Sequence, residues 1–271
     1  MSTKTALITG ASSGFGLEFA KLFAKDGYDV VLVSRNEEKL TDVAMQLKVD
    51  HGIRTTIIQK DLSVAGAAQE LYNDIIKQHI QVDVLVNNAG VSEHGFFTET
   101  DMDKEMAIIQ LNVVALVQLT KLFLKDMVAR NDGKILQLAS TASIAPLPLM
   151  AVYSGTKAFV YSFTQALVNE LKDSNVSMTA LLPGASDTDF FHKANAEETV
   201  IYNDTKLSDP ADVAKDGYRA LMKGKAKVVS GIKNKVQVAM SNVMSDTSVT
   251  SGMRKYMDKP GETEQSESKK G

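Results

Sequence analysis

The sequence predicts an α/β fold: a doubly wound, mostly parallel seven-stranded sheet with helices on both faces. Three observations lead there. Short runs of Val, Ile and Leu alternate with helix-periodic stretches along most of the chain, as parallel strands joined by right-handed crossovers require. The runs are mostly apolar throughout rather than alternating, the pattern of strands covered on both faces. The first run gives way directly to a glycine-rich turn that opens a helix.

The candidate strands, in order, are TALIT (5–9), DVVLVS (29–34), RTTIIQ (54–59), VDVLVN (82–87), KILQLA (134–139), SMTALL (177–182) and AKVVS (226–230). Helical patterns fall between them at roughly 15–26, 37–50, 64–79, 101–130, 151–173 and 210–223. In the first, Phe15, Phe19, Leu22 and Phe23 recur at helical spacing while Glu18, Lys21 and Lys25 fall on the other side. Asn36 stands where the second helix needs a cap, with Glu37 and Glu38 in its first turn. Asp209 and Pro210 repeat that logic, a capping side chain followed by proline at the first helical position. No fixed-period repeat and no linker precede residue 258. Residues 1–257 are therefore expected to form one domain, with 231–257 a helical extension and the polar ending 258–271 a disordered tail.

Composition removes several function classes. Across 271 residues the formal net charge is −3 with Lys and Arg spread along the chain, which gives no basic footprint for nucleic acid. Cysteine is absent, so disulfides, thiolate nucleophiles and zinc–thiolate sites are excluded. His51, His79, His94 and His192 are scattered and form no close-spaced metal-ligand motif. MSTKTALITG reaches a strand too soon for a signal peptide, and no apolar run is expected to span a bilayer. A cytoplasmic protein is the expectation.

TGASSGFG links the first strand to the first helix. Gly10, Gly14 and Gly16, with Ser12, Ser13 and Phe15 between them, let the backbone approach a pyrophosphate at a helix N-terminus, where free N–H groups and the macrodipole favour anions. The spacing is G-x-x-x-G-x-G, so a plain strand-to-helix turn stays open beside the dinucleotide-binding (Rossmann) reading. About 20 residues on, an acid would accept the 2′-hydroxyl of NAD, and an arginine would accommodate the 2′-phosphate of NADP. Ser34 occupies the acid's place and Arg35 follows, a pattern that favours NADP.

Taken in order, TGASSGFG, DLS (61–63), NNAG (87–90), Asn112, Ser140, YSGTK (153–157) and PGASDT (183–188) resemble the short-chain dehydrogenase/reductase family of the single-domain, NADP-preferring type, over roughly residues 1–230. The resemblance implies NADP(H) as cofactor. It places Asp61 and Leu62 at the adenine, Asp61 being alternatively the cap of the following helix. It sets Asn88, Ala89 and Gly90 beneath the ribose, and Pro183, Gly184 and Thr188 over the nicotinamide.

The same resemblance implies the catalytic set Asn112, Ser140, Tyr153 and Lys157, with no metal. Tyr153 would be general acid for carbonyl reduction and base for alcohol oxidation. Lys157, four residues on and on the same helical face, would hold the ribose and lower the phenol's pKa from about 10. Ser140 would hydrogen-bond the substrate oxygen, and Asn112 would hold a water in a proton relay.

The expected reaction moves a hydride between nicotinamide and a carbonyl or secondary alcohol. A 3-oxoacyl thioester reductase is the enzyme alternative, and a non-catalytic NADP-binding regulator the alternative of another class. Retention of Ser140, Tyr153 and Lys157 weighs against the regulator.

SIAPLPLM (143–150) and DFFHKANAEETVIYND (189–204) flank the expected site with apolar groups, which suggests a substrate with an apolar part and a lid over it. Apolar stripes on 101–130 and 151–173, with the family's habit, imply a homodimer or homotetramer. On the extension, Val236, Met240, Val243 and Met244 share one helical face beside Lys233 and Lys235. A helix docked on the body, a partner-binding helix and weak membrane contact all stay open there.

Overall fold

A computed structural model describes residues 3–203 and 205–259. All seven expected strands form: β1 (Thr5–Thr9), β2 (Asp29–Ser34), β3 (Thr55–Gln59), β4 (Val84–Asn87), β5 (Gly133–Leu138), β6 (Val176–Leu182) and β7 (Lys227–Val229). They make one sheet in the order β3-β2-β1-β4-β5-β6-β7, and every neighbouring pair is parallel. The order reverses between β1 and β4, so the carboxyl ends of these two strands open a crevice.

One face carries α1 (Gly14–Lys25), α2 (Glu37–His51) and α9 (Pro210–Met222), whose Phe19, Phe23, Leu40, Leu47, Val213 and Leu221 pack on the strands. The other carries α3 (Ala67–Lys77), α5 (Leu116–Ala129) and α6 (Ala151–Glu170), with Leu71, Ile75, Leu119, Phe123 and Met127 in its core. The caps read from sequence are made: Asn36 Oδ1 accepts from Lys39 N at 2.8 Å, and Asp209 Oδ1 from Ala211 N at 2.8 Å. Asp61 is not a helix cap. It closes a local turn by accepting from Ser63 N and Oγ at 2.9 and 2.6 Å, and α3 begins only after Gly66.

The stretch read as one helix over 101–130 is continuous but not uniform. It runs as α4 (Met102–Ile109), a π-helical segment Gln110–Ala115, and α5. This also corrects the expectation about membrane-length segments. By length and composition Met102–Ala129 is apolar enough to cross a bilayer, with a mean hydropathy of 1.8 in its most apolar window. Leu116, Leu119, Phe123 and Met127 face protein, whereas Met102, Met106 and Val128 face solvent.

The lid candidate contains two short helices, α7 (Phe190–Lys193) and α8 (Val200–Asn203). The extension folds as α10 (Ile232–Ser241) and α11 (Asp246–Met257). Most of the ending expected as a tail, from residue 260 on, lies outside the described residues.

Candidate active site

The crevice at the β1/β4 switch opens into a cleft of about 1810 Å³. Of the residues singled out by sequence, Gly10, Ser12, Ser13, Gly14, Phe15, Ser34, Arg35, Asp61, Leu62, Asn88, Ala89, Gly90, Ser140, Tyr153, Lys157, Pro183, Gly184 and Thr188 all line it. Gly16 and Asn112 do not.

Gly10 turns with φ +67°, and a Cβ there would stand 2.8 Å from Asn88 Nδ2. Asn88 explains the tightness. Its Nδ2 donates to Thr9 O at 2.8 Å, while the N–H groups of Asn88 and Ala89 both donate to Thr9 Oγ1 at 3.0 Å. The ends of β1 and β4 are thus tied beneath the cleft. Gly16 acts from behind the turn: a Cβ would fall 2.1 Å from Gly10 O, so its part is helix–strand packing rather than ligand contact.

The first turn of α1 contains no acid, and Ser13 makes no side-chain cap bond. Its N–H groups are therefore left for an anion at the cleft floor. At the end of β2, Arg35 Nη1 lies 3.9 Å from Asp61 Oδ2 and the guanidinium is largely exposed. Lys39 and Lys60 also line this edge, and the sequence reading had missed both. Lys60 is engaged by Glu70 and Asp74, at 3.0 and 3.5 Å. Lys39 has no carboxylate partner among the described residues. Backbone donors for a pyrophosphate and cations for a further phosphate fit a phosphorylated dinucleotide.

At the other end, Tyr153 and Lys157 sit on the buried face of α6. Lys157 Nζ donates to Leu138 O at 2.7 Å and lies 5.7 Å from the centre of the Tyr153 ring. Burial pushes Tyr153 up to about 12 against a lowering hydrogen bond with Ser140, and burial pulls Lys157 down to about 8. The expected depression of the phenol is therefore not a property of these side chains alone. Desolvation outweighs the hydrogen bond from Ser140.

Ser140 is fixed at the end of β5 by a capping box around Thr141–Ser143. Its Oγ accepts from Ala142 N at 3.1 Å, and Ser143 Oγ donates to Lys157 O at 2.8 Å. The π-helical turn buries Asn112, whose Oδ1 accepts from Val91 N at 3.0 Å and whose Nδ2 donates to Val91 O and Thr156 Oγ1. Thr156 Oγ1 in turn donates to Tyr153 O at 2.7 Å. Asn112 thus braces the α6 turn that carries Tyr153, its Oδ1 set behind the cleft-lining Gly90 beside Lys157.

The lid candidate packs on this end. The Phe190 ring lies 5.1 Å from that of Tyr153, and Phe191, Ala194 and Ala196 pack with Met150 and Met257. His94 stays out of the cleft. Its Nε2 bonds Met257 O at 2.9 Å and pins the end of α11. The largest group absent from the sequence reading is the wall supplied by α10 and α11, from Ile232 to Met257. Its apolar periodicity was legible; the face it covers was not.

The family model for short chain dehydrogenase matches residues 4–199. The very-long-chain 3-oxoacyl-CoA reductase of Mycosarcoma maydis is 38% identical over 179 residues, 65% of this chain and 51% of that protein. The 17-beta-hydroxysteroid dehydrogenase type 3 of Mus musculus is 35% identical over 189 residues, 68% of this chain and 60% of that protein. The aligned stretch thus spans only about half to three-fifths of those relatives. A short-chain dehydrogenase from Sphingobium yanoikuyae, solved in complex with NADPH, superposes with a TM-score of 0.79 at 27% identity, covering 90% of this chain and 96% of that one. Sequence match, sheet order and the cleft at the strand ends agree, and the chain belongs to the short-chain dehydrogenase family.

Proposed function

We propose that the chain is an NADP-dependent oxidoreductase acting on a carbonyl compound, or the corresponding secondary alcohol, with an apolar body. One observation carries the reading: a single cleft joins the uncapped end of α1 and Arg35 to Ser140, Tyr153 and Lys157. The solved relative bound to NADPH supports the cofactor, as does the cationic edge formed by Arg35 and Lys39.

NADPH, when bound, supplies the hydride and a charge that changes with its redox state. The chain supplies the proton and the geometry. With its hydroxyl raised to about 12, Tyr153 is protonated at neutral pH and ready to donate to a substrate oxygen as negative charge develops there. Ser140 donates a hydrogen bond to the same oxygen and fixes its direction. Lys157, charged below about pH 8, stabilises the phenolate left behind. Phe190 and the lid keep water from the reacting end.

Within this reaction, 3-oxoacyl thioester reduction is the second reading. The Mycosarcoma relative's name favours it. A homodimer or homotetramer built on Met102–Ala129 and α6 belongs to the proposal, supported by solvent-facing Met102, Met106 and Phe159. So does a cytoplasmic setting, since a cysteine-free chain needs no oxidising compartment. Loss of NADPH absorbance in the presence of aldehydes, ketones or 3-oxo thioesters tests the function. Tight NADPH binding with no turnover across all these classes would overturn it in favour of the regulator.

A further inference from the structure

The family match ends at residue 199, yet α10 and α11 beyond it form a long stretch of the cleft wall. Ile232, Val236, Met240 and Met244 recur every fourth residue along that wall and stay 79%, 54%, 54% and 44% exposed. No Asp or Glu interrupts residues 231–245. A contiguous apolar stripe open to water marks a binding surface more often than a resting one.

This stripe is held firmly. Val238 is buried beneath it, and Gln237 Nε2 lies 3.1 Å from Met253 Sδ on α11. Asn234 Nδ2 donates to Ser230 O at 2.7 Å, and the amide occupies the space left by Gly184, where a Cβ would fall 2.4 Å from Asn234 Oδ1. Val249 and Met253 pack against Ala145 and Leu147 behind.

We propose that the stripe receives an unbranched alkyl chain attached to the reacting carbonyl, so that substrates are selected by chain length. The proposal deepens the reductase reading above and rests on it. Three features select this occupant. The stripe lines the same cleft as Tyr153, so a chain on α10 is continuous with a carbonyl at the catalytic end. From Ile232 to Met240 it runs about 12 Å, the length of roughly ten methylenes. Met240 and Met244 present exposed thioethers on the stripe, with Met150, Met253 and Met257 buried behind this end. Flexible thioethers follow a chain of variable shape, whereas a rigid polycyclic ketone calls for fixed complementarity.

The test is a homologous series of methyl ketones, assayed with the native chain, Met240→Asp and Met240→Leu. Parallel NADPH and pyrene-labelled long-chain ketone titrations use Tyr153→Phe, alone and combined with Met240→Asp. For the native chain, kcat/KM should rise by up to about fourfold per added methylene, then level off near roughly ten. Met240→Asp should flatten that slope and Met240→Leu restore it. In the Tyr153→Phe background, Met240→Asp should weaken the labelled ketone at least tenfold and leave NADPH affinity in place. An unchanged slope in Met240→Asp overturns the proposal and leaves the reductase intact. Equal rates along the series do the same. No turnover, with labelled ketone bound and released by Met240→Asp, overturns the reductase reading while upholding the groove. Binding to phosphatidylcholine vesicles lost in Met240→Asp, with the slope intact, would assign the stripe to a lipid surface and overturn it.

Discussion

Lys157 is tied to the carbonyl of Leu138 at 2.7 Å while its ammonium stands 5.7 Å from the Tyr153 ring centre. The end of β5 therefore sets where the positive charge sits, and α6 sets where the phenol sits. Burial holds the tyrosine in its protonated form and makes the lysine easier to deprotonate than a free amine.

Replacing Tyr153 with Phe removes the proposed proton donor and little volume. Turnover should fall by about 100-fold or more, while NADPH affinity, read by fluorescence titration, stays within a few-fold. Near-native turnover would refute the acid–base role.

The pH dependence has opposite signs for function and stability. Lys157 is depressed to about 8, so its charge is present below that pH and lost above it. The kcat/KM for NADPH should accordingly fall as pH rises through about 8. Between there and the model-compound value of 10.5 the unfolded chain holds a proton that the folded chain lacks, so this group's contribution to stability rises with pH. Melting curves of the native chain and Lys157→Met should therefore diverge over that window, and parallel curves would contradict the burial argument.

Arg35 has only a loose pairing with Asp61, at 3.9 Å, and is free to meet a phosphate. Arg35→Ala should weaken NADPH by about tenfold or more, the scale of a charge-assisted hydrogen bond, and leave NADH nearly unchanged. Equal losses for both cofactors, measured side by side, would remove Arg35 from the preference.

Gly184→Ala places a methyl where Asn234 now sits. The clash should cost about 1–3 kcal/mol in denaturant unfolding, and adding Asn234→Ala should recover much of it. A double variant no more stable than Gly184→Ala would show that the two positions are not coupled.

Much of this was legible in the chain. Strands such as DVVLVS are apolar throughout because both sheet faces are covered, and β2 forms over the same residues, Asp29–Ser34. The glycine turn, Ser140, Tyr153 and Lys157 stand out in sequence as motifs in a set order, and the fold brings them to one cleft. Boundaries were less so: the third helix starts at Ala67 rather than near 64 because the Asp61–Ser63 turn and Gly66 hold the chain out. Lys39 carried no sequence signal separating it from any solvated first-turn lysine. The stripe on α10 showed its period, but only packing decides what a helical face looks toward.

The π-helical segment at Gln110–Ala115 has a consequence for how this chain tolerates length changes. A wide turn holds one residue more than an α-turn and rotates everything after it by about 100° relative to an unbroken helix. The phase that brings Leu119, Phe123 and Met127 onto the sheet is therefore set by that surplus residue, upstream of all of them. Removing one residue there would let the segment close into an unbroken α-helix and leave the face of α5 aimed at the sheet. Here a single-residue deletion would spare the second half of the helix and remove the wide turn that seats Asn112 against Val91 and Thr156.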